Sequence, residues 1–203
     1  MKKSNCIIIA GGEFKEKDIE VNEGDFIIAA DKGYEYAQKL NLKVNLLIGD
    51  FDSLNQIPDD VEIIKLNPIK DDTDSLDAVK EGIKRGYKSF LIYGALGNRL
   101  EHSLANLSLL IYLKNLGFAG KIIDNGKIYI VLKNESITLP KRNEGYVSVF
   151  SISEKSKGVT LKNLKYELNN YELKNDVPLG IDNEYIGLTP EISVSDGMIL
   201  VIY

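Results

Sequence analysis

Over residues 6–124 the chain alternates between short, uninterrupted apolar runs and stretches of helical period. The runs lie at 7–10, 26–30, 46–48, 62–66, 90–93 and 121–124, and most end in glycine or aspartate. Runs of this kind predict strands buried on both faces. Helical patterns fall between them at 34–40, 73–85 and 100–116. In the second, Leu76, Val79 and Ile83 share a face and Gly86 follows the end; in the third, Leu100, Leu104, Leu107 and Ile111 form the apolar stripe and Gly117 supplies the stop. Strand–helix alternation of this length demands a mostly parallel sheet with helices on its faces. Residues 1–124 are therefore expected to form a Rossmann-like α/β domain.

After residue 124 the helical period disappears. Asn125-Gly126 is a type I′ hairpin signal. Strand-like segments follow at 128–132, 136–139, 146–150, 159–161, 191–194 and 198–202, punctuated by Pro140, Gly145, Gly158 and Gly197. Residues 125–203 are expected to form a smaller all-β domain, a sandwich or an open barrel.

Composition removes several functions. A net charge of −5 disfavours a binder of duplex nucleic acid. No apolar run approaches the ~18 residues of a membrane span, and the one behind the N-terminal lysines is too short for a signal peptide. The single cysteine, Cys6, lies inside an apolar run and reads as a buried thiol. It excludes an intrachain disulfide, and one cysteine with one histidine exclude the usual four-ligand zinc site. A cytoplasmic protein with no membrane or nucleic-acid partner is expected.

The polar clusters of the first domain each follow a strand: Gly11 and Gly12, Asp31, Asp50 with Asp52, and 94–99. In a parallel sheet these positions share the carboxyl edge, where ligands of open α/β folds bind. Nine carboxylates and two lysines lie between Asp50 and Asp77. Two unit charges 4 Å apart repel by about 4 kcal/mol at an effective dielectric near 20, so converging acids need a cation or raised pKa values. Carboxylate oxygens suit Mg²⁺ before Zn²⁺. A plainer reading of the same residues has Asp52 forming a turn and Asp72 or Asp74 capping a helix. The 94–99 loop feeds a helix N-terminus, a natural anion site, with Arg99 at that terminus and His102 and Asn106 one turn apart; the plainer alternative is a helix cap with a surface arginine. Neither GxGxxG nor GxxxxGK[ST] is present. The residues alone thus give a metal-assisted phosphate or nucleotide site, and a β domain of unassigned role.

Four segments taken together, Ala30-Asp31-Lys32-Gly33, Gly49-Asp50-Phe51-Asp52-Ser53, Lys70-Asp71-Asp72-Thr73-Asp74 and Gly97-Asn98-Arg99-Leu100-Glu101-His102, resemble the thiamin pyrophosphokinase family in order and spacing. The stretches 158–166 and 182–184 resemble its thiamin-binding half. The resemblance implies diphosphoryl transfer from ATP to the thiamin hydroxyl, giving thiamin diphosphate and AMP, in a homodimer whose sites lie at the subunit interface. It implies that Asp50, Asp52, Asp71 and Asp74 hold Mg²⁺ and that Lys70 and Arg99 neutralise phosphate charge. Gly11, Gly12, Asp31, Lys32, Thr73, His102 and Asn106 would bind or position ATP, Tyr166 would stack on thiamin, and Asp182 and Asn183 would meet its pyrimidine. Two positions depart from the pattern: Glu101 stands where the family usually has Asp, and Asp182 where Ser is common. Alternative readings are a Mg²⁺-dependent nucleotide hydrolase, a diphosphotransferase with another acceptor, and a non-catalytic binder of thiamin or nucleotide.

Overall fold

The computed structural model describes residues 4–14, 17, 19–51, 61–67, 72–97 and 99–203. The chain divides into two compact units, Met1–Gly126 and Lys127–Tyr203.

In the first unit, strands β1 (Cys6–Ile9), β2 (Phe26–Ala30), β3 (Leu46–Gly49), β4 (Glu62–Lys65), β5 (Ser89–Tyr93) and β6 (Ala119–Asp124) alternate with helices α1 (Gly33–Lys39), α2 (Asp74–Lys84) and α3 (Leu100–Asn115). The order across the sheet is β6-β5-β1-β2-β3-β4 and every pair is parallel. Strand order reverses at β1: β2 to β4 run out on one side, β5 and β6 on the other. One expectation is corrected here. β4 is largely exposed, and among the described residues it pairs with β3 alone, at the edge of the sheet.

Alternate residues of β1 face opposite ways. Ile7 and Ile9 join Ile27, Ala29 and Leu47 in a core that includes Ala37 of α1. Cys6 points the other way, beneath α2: a Cβ on Gly82 would lie 2.7 Å from the Cys6 Sγ and 2.7 Å from the Phe90 ring. Helix α3 packs on the same face, Leu110 and Leu113 meeting the space over Gly120. Close packing explains why α2 buries its small residues, Ser75, Ala78 and Gly82, along with Val79. The expected face, with Leu76 and Ile83, is only half-buried. The expected stripe of α3 is also wrong: its buried face is Asn106, Leu109, Leu110 and Leu113, whereas Leu100 is 68% and Leu104 56% exposed.

Burial pushes the Cys6 thiol up to about 12. An unfolded thiol titrates near 9, so folding keeps this contribution below that pH and loses it as pH rises toward 12. Resistance to urea should therefore fall above pH ~9 by about 1.4 kcal/mol per pH unit for this one group. Cys6→Ala should remove that share of the slope, and an unchanged slope would show that the thiol ionises without cost.

The second unit contains β7 (Lys127–Lys133), β8 (Ser136–Thr138), β9 (Tyr146–Ser151), β10 (Lys155–Lys162), β11 (Leu168–Lys174), β12 (Gly180–Glu184), β13 (Glu191–Ser193) and β14 (Met198–Ile202). β12-β9-β14-β7 pair side by side and antiparallel, as do β11-β10-β13-β8. Val147, Val149, Ile199 and Val201 of the first set share a core with Val159, Leu161, Leu173 and Ile192 of the second, which is a sandwich. β11 and β12 were not expected as strands. β11 buries a single side chain, so it shows no alternation, and a bulge breaks that of β12.

Candidate active site

The carboxyl ends of β1 and β5 meet where the strand order reverses. Hydrogen bonding continues past the strands: Ala10 N donates to Tyr93 O at 2.8 Å, Gly12 N to Gly94 O at 2.8 Å, and Glu13 N to Leu96 O at 3.0 Å. Gly12 must be glycine for this, since a Cβ would lie 2.5 Å from the Gly94 carbonyl oxygen. The hydroxyl of Tyr36 on α1 donates to Gly12 O at 2.9 Å, and its ring stacks on Phe14 at 4.9 Å. Sequence reasoning passed over Tyr36. Its only signal is an aromatic residue one turn into the first helix.

Asp31 directly follows β2, with φ 44°, a left-handed conformation that aspartate tolerates better than most residues. Its carboxyl enters a space that Gly49 leaves open: a Cβ there would lie 1.7 Å from Asp31 Oδ1. That oxygen is buried without a hydrogen-bond partner. Burial, a hydrogen bond with the Asp74 carboxyl, and the charges of Asp74 and Asp50 push the Asp31 carboxyl up to about 7, while a bond from the Phe51 backbone opposes them. Three acids placed far apart in the chain therefore converge at the ends of β2 and β3 and the start of α2. Among the described residues, no three His, Cys, Asp or Glu side chains are grouped as a metal site. Asp52, Lys70 and Asp71 lie outside the described residues.

Thr73, and neither Asp72 nor Asp74, caps α2: its hydroxyl accepts from Leu76 N at 3.3 Å. This leaves the Asp74 carboxyl for Asp31. Asp72 pairs with Lys80. Lys32 precedes α1, its side chain exposed and its ammonium 5.8 Å from the Tyr36 ring centre. Gly11 is exposed in the loop after β1.

Arg99 stands at the start of α3, exposed, with Nε donating to Glu101 at 2.8 Å. The Glu101 carboxyl is held below its ordinary range by a backbone hydrogen bond and by Arg99. His102 and Asn106 do not share an environment as expected. His102 is exposed, whereas Asn106 is buried with its amide donating to Ala95 O at 2.6 Å, which ties α3 to the loop after β5.

In the second unit, Tyr166 is 60% exposed. Asp182 has φ 54° and Asn183 is buried against the Tyr166 backbone. Lys165, missed in the sequence, pairs with Glu184 at 2.6 Å and sets its ammonium 5.4 Å from the Tyr166 ring centre. Its adjacency to Tyr166 was the available signal.

Fold and site define a class: a parallel α/β unit with clustered acids on its carboxyl edge, followed by a β-sandwich. Residues 18–119 match the thiamin pyrophosphokinase catalytic domain, and residues 134–199 match the thiamin pyrophosphokinase vitamin B1 binding domain. The chain belongs to the thiamin pyrophosphokinase family. It is 28% identical over 162 residues to the thiamine pyrophosphokinase of Bacillus subtilis (strain 168), covering 76% of this chain and 75% of that one. The crystal structure of thiamine pyrophosphokinase from Bacillus subtilis superposes with a TM-score of 0.88 at 24% identity, over 98% of each chain. That of a thiamin pyrophosphokinase family protein from Enterococcus faecalis gives 0.85 at 28% identity, again over 98% of each.

Proposed function

We propose that the protein transfers a diphosphoryl group from ATP to the hydroxyl of thiamin. The hydroxyl oxygen attacks the β-phosphorus, the bond from that phosphorus to the α-phosphate oxygen breaks, AMP leaves, and the hydroxyl proton passes to solvent. The observation that carries this reading is the convergence of Asp31, Asp50 and Asp74 on the carboxyl edge in a chain of this family. Such transfer asks a protein mainly for positioning and charge neutralisation.

An all-oxygen donor set beside a buried carboxylate oxygen without a partner fits a hard divalent ion. Asp50, Asp52, Asp71 and Asp74 would hold Mg²⁺, which when bound supplies positive charge for the polyphosphate. Lys70 and Arg99 add positive charge. Gly11, Gly12, Asp31, Lys32, Thr73 and His102 frame the nucleotide, and Asn106 does so indirectly, through Ala95. Tyr166 stacks on thiamin, with Asp182 beside it. The first unit is Rossmann-like in placing its ligand where strand order reverses. A homodimer accords with the exposed Leu100 and Leu104, and a cytoplasmic setting with a single, buried cysteine.

Mass spectrometry of protein mixed with thiamin, ATP and Mg²⁺ tests the reading. Thiamin diphosphate and AMP are expected in equal amounts, and neither should form with excess EDTA. ATP consumed without a thiamin product would replace this reading with a hydrolase or another acceptor. No turnover by folded protein would leave a binder.

A further inference from the structure

Three of the four hydrogen-bonding positions of the Asn183 side-chain amide are taken by backbone groups. Its Oδ1 accepts from Tyr166 N at 2.9 Å and from Glu184 N at 2.9 Å, and its Nδ2 donates to Tyr166 O at 2.6 Å. An asparagine side chain carries the same donor and acceptor as a peptide group. Here it stands in for a neighbouring strand and satisfies both backbone groups of Tyr166. The residue is 4% exposed, so these bonds are shielded from solvent.

The main chain of β12 makes this possible. Between Gly180 and Asn183 the pairing with β9 slips, three residues of β12 spanning two of β9. That extra residue is a β-bulge, a device that re-aims side chains. Asp182 takes the left-handed conformation at the slip, which suits aspartate better than serine. Ile181 and Asp182 both stay exposed and Asn183 turns inward. The departure at Asp182 thus has a backbone role.

The remainder of the Tyr166 loop is held as well. Lys165 N donates to Glu184 O at 3.0 Å, and Asn163 Nδ2 donates to Thr189 O at 2.8 Å. Leu164 is buried in the core beneath. The backbone is fixed while the Tyr166 ring projects outward. The Lys165 ammonium sits 5.4 Å from the centre of that ring, and Tyr166 is 60% exposed.

We propose that Asn183 is a positioning residue: it clamps the Tyr166 backbone so that the ring is a preformed platform on which a flat heterocycle stacks. The proposal rests on the reading of Tyr166 as the thiamin-stacking ring. It takes Asn183 away from direct contact with the pyrimidine. Preformed platforms avoid the ordering cost of binding.

Steady-state kinetics on the full chain separate the alternatives. Tyr166→Ala should raise KM for thiamin about 10- to 100-fold, the range of base–aromatic stacking. Asn183→Asp keeps the shape and loses the donor to Tyr166 O. It should raise KM for thiamin about tenfold, with kcat and KM for ATP within about threefold of the parent. In the Tyr166→Ala background it should add nothing, because its effect runs through the ring. Additive effects would overturn the clamp and return Asn183 to substrate contact. An unchanged thiamin KM in Tyr166→Ala would instead sink the stacking reading. A second measurement needs no turnover. The chain has no tryptophan, so Tyr166→Trp creates a sole reporter of ring motion. Asn183→Asp in that chain, or Asn183→Ala if the buried carboxylate prevents folding, should lower its fluorescence anisotropy. Unchanged anisotropy would overturn the clamp whatever the kinetics show.

Discussion

Asp74→Asn should lower kcat for thiamin diphosphate formation by about 10²- to 10³-fold, the usual cost of removing one transition-state electrostatic partner, while the melting temperature stays level or rises. The two halves of this expectation have one cause. Asp31 and Asp74 share a hydrogen bond, with Asp50 close enough to raise the Asp31 carboxyl further. Converging like charges cost stability unless a cation or a proton relieves them. Asparagine keeps the shape and can still bond Asp31, so the repulsion goes while the packing stays. Thermal melting without added metal, beside initial rates with saturating Mg²⁺, reads both halves. Full activity would remove Asp74 from the site. A fall of several degrees would make it a structural residue of the α2 N-terminus.

The second large effect is on folding. Gly33→Ala should destabilise the first unit by about 3 kcal/mol or more, the upper range for overpacking, and lower its melting temperature by about 6–12 °C. A Cβ at Gly33 would lie 1.9 Å from the Ile9 carbonyl oxygen. The Cβ is fixed by the backbone and its neighbours are main-chain atoms, so no rotamer change relieves the clash. Relief requires α1 to lift from β1, and Ala37 leaves the core with it. Circular dichroism melting of the purified variant tests this. A loss under about 1 kcal/mol, within the range of ordinary surface changes, would show that α1 shifts without cost.

The alternation of apolar runs and helical stretches made the parallel sheet legible, because each run carries its own burial signal. β2 was placed to the residue, and the other five strands to within two at each end. The faces of α2 and α3 were not legible. Helix α3 has apolar residues on nearly every side, so the period alone cannot choose between the stripe with Leu104 and the one with Leu109. The choice is made by Gly120, which opens the space that Leu110 and Leu113 fill. Asp31, Asp50 and Asp74 were visible as residues that follow strands or open a helix. Their hydrogen bond was not, because it depends on Thr73 taking the cap. Asn183 shows the same limit. Its identity and neighbourhood were readable, but its partner follows from a one-residue slip in β12 that no periodicity announces.

The joined loops at the ends of β1 and β5 also bear on when the site exists. Gly12 pairs with Gly94 and Glu13 with Leu96, partners separated by most of the first unit. Closing so long a stretch of chain must come before those bonds return any energy. During synthesis from the N-terminus, the glycine loop is complete long before its partner strand has been made. If these loops hold nucleotide as proposed, that capacity arrives with tertiary closure and not with any local element.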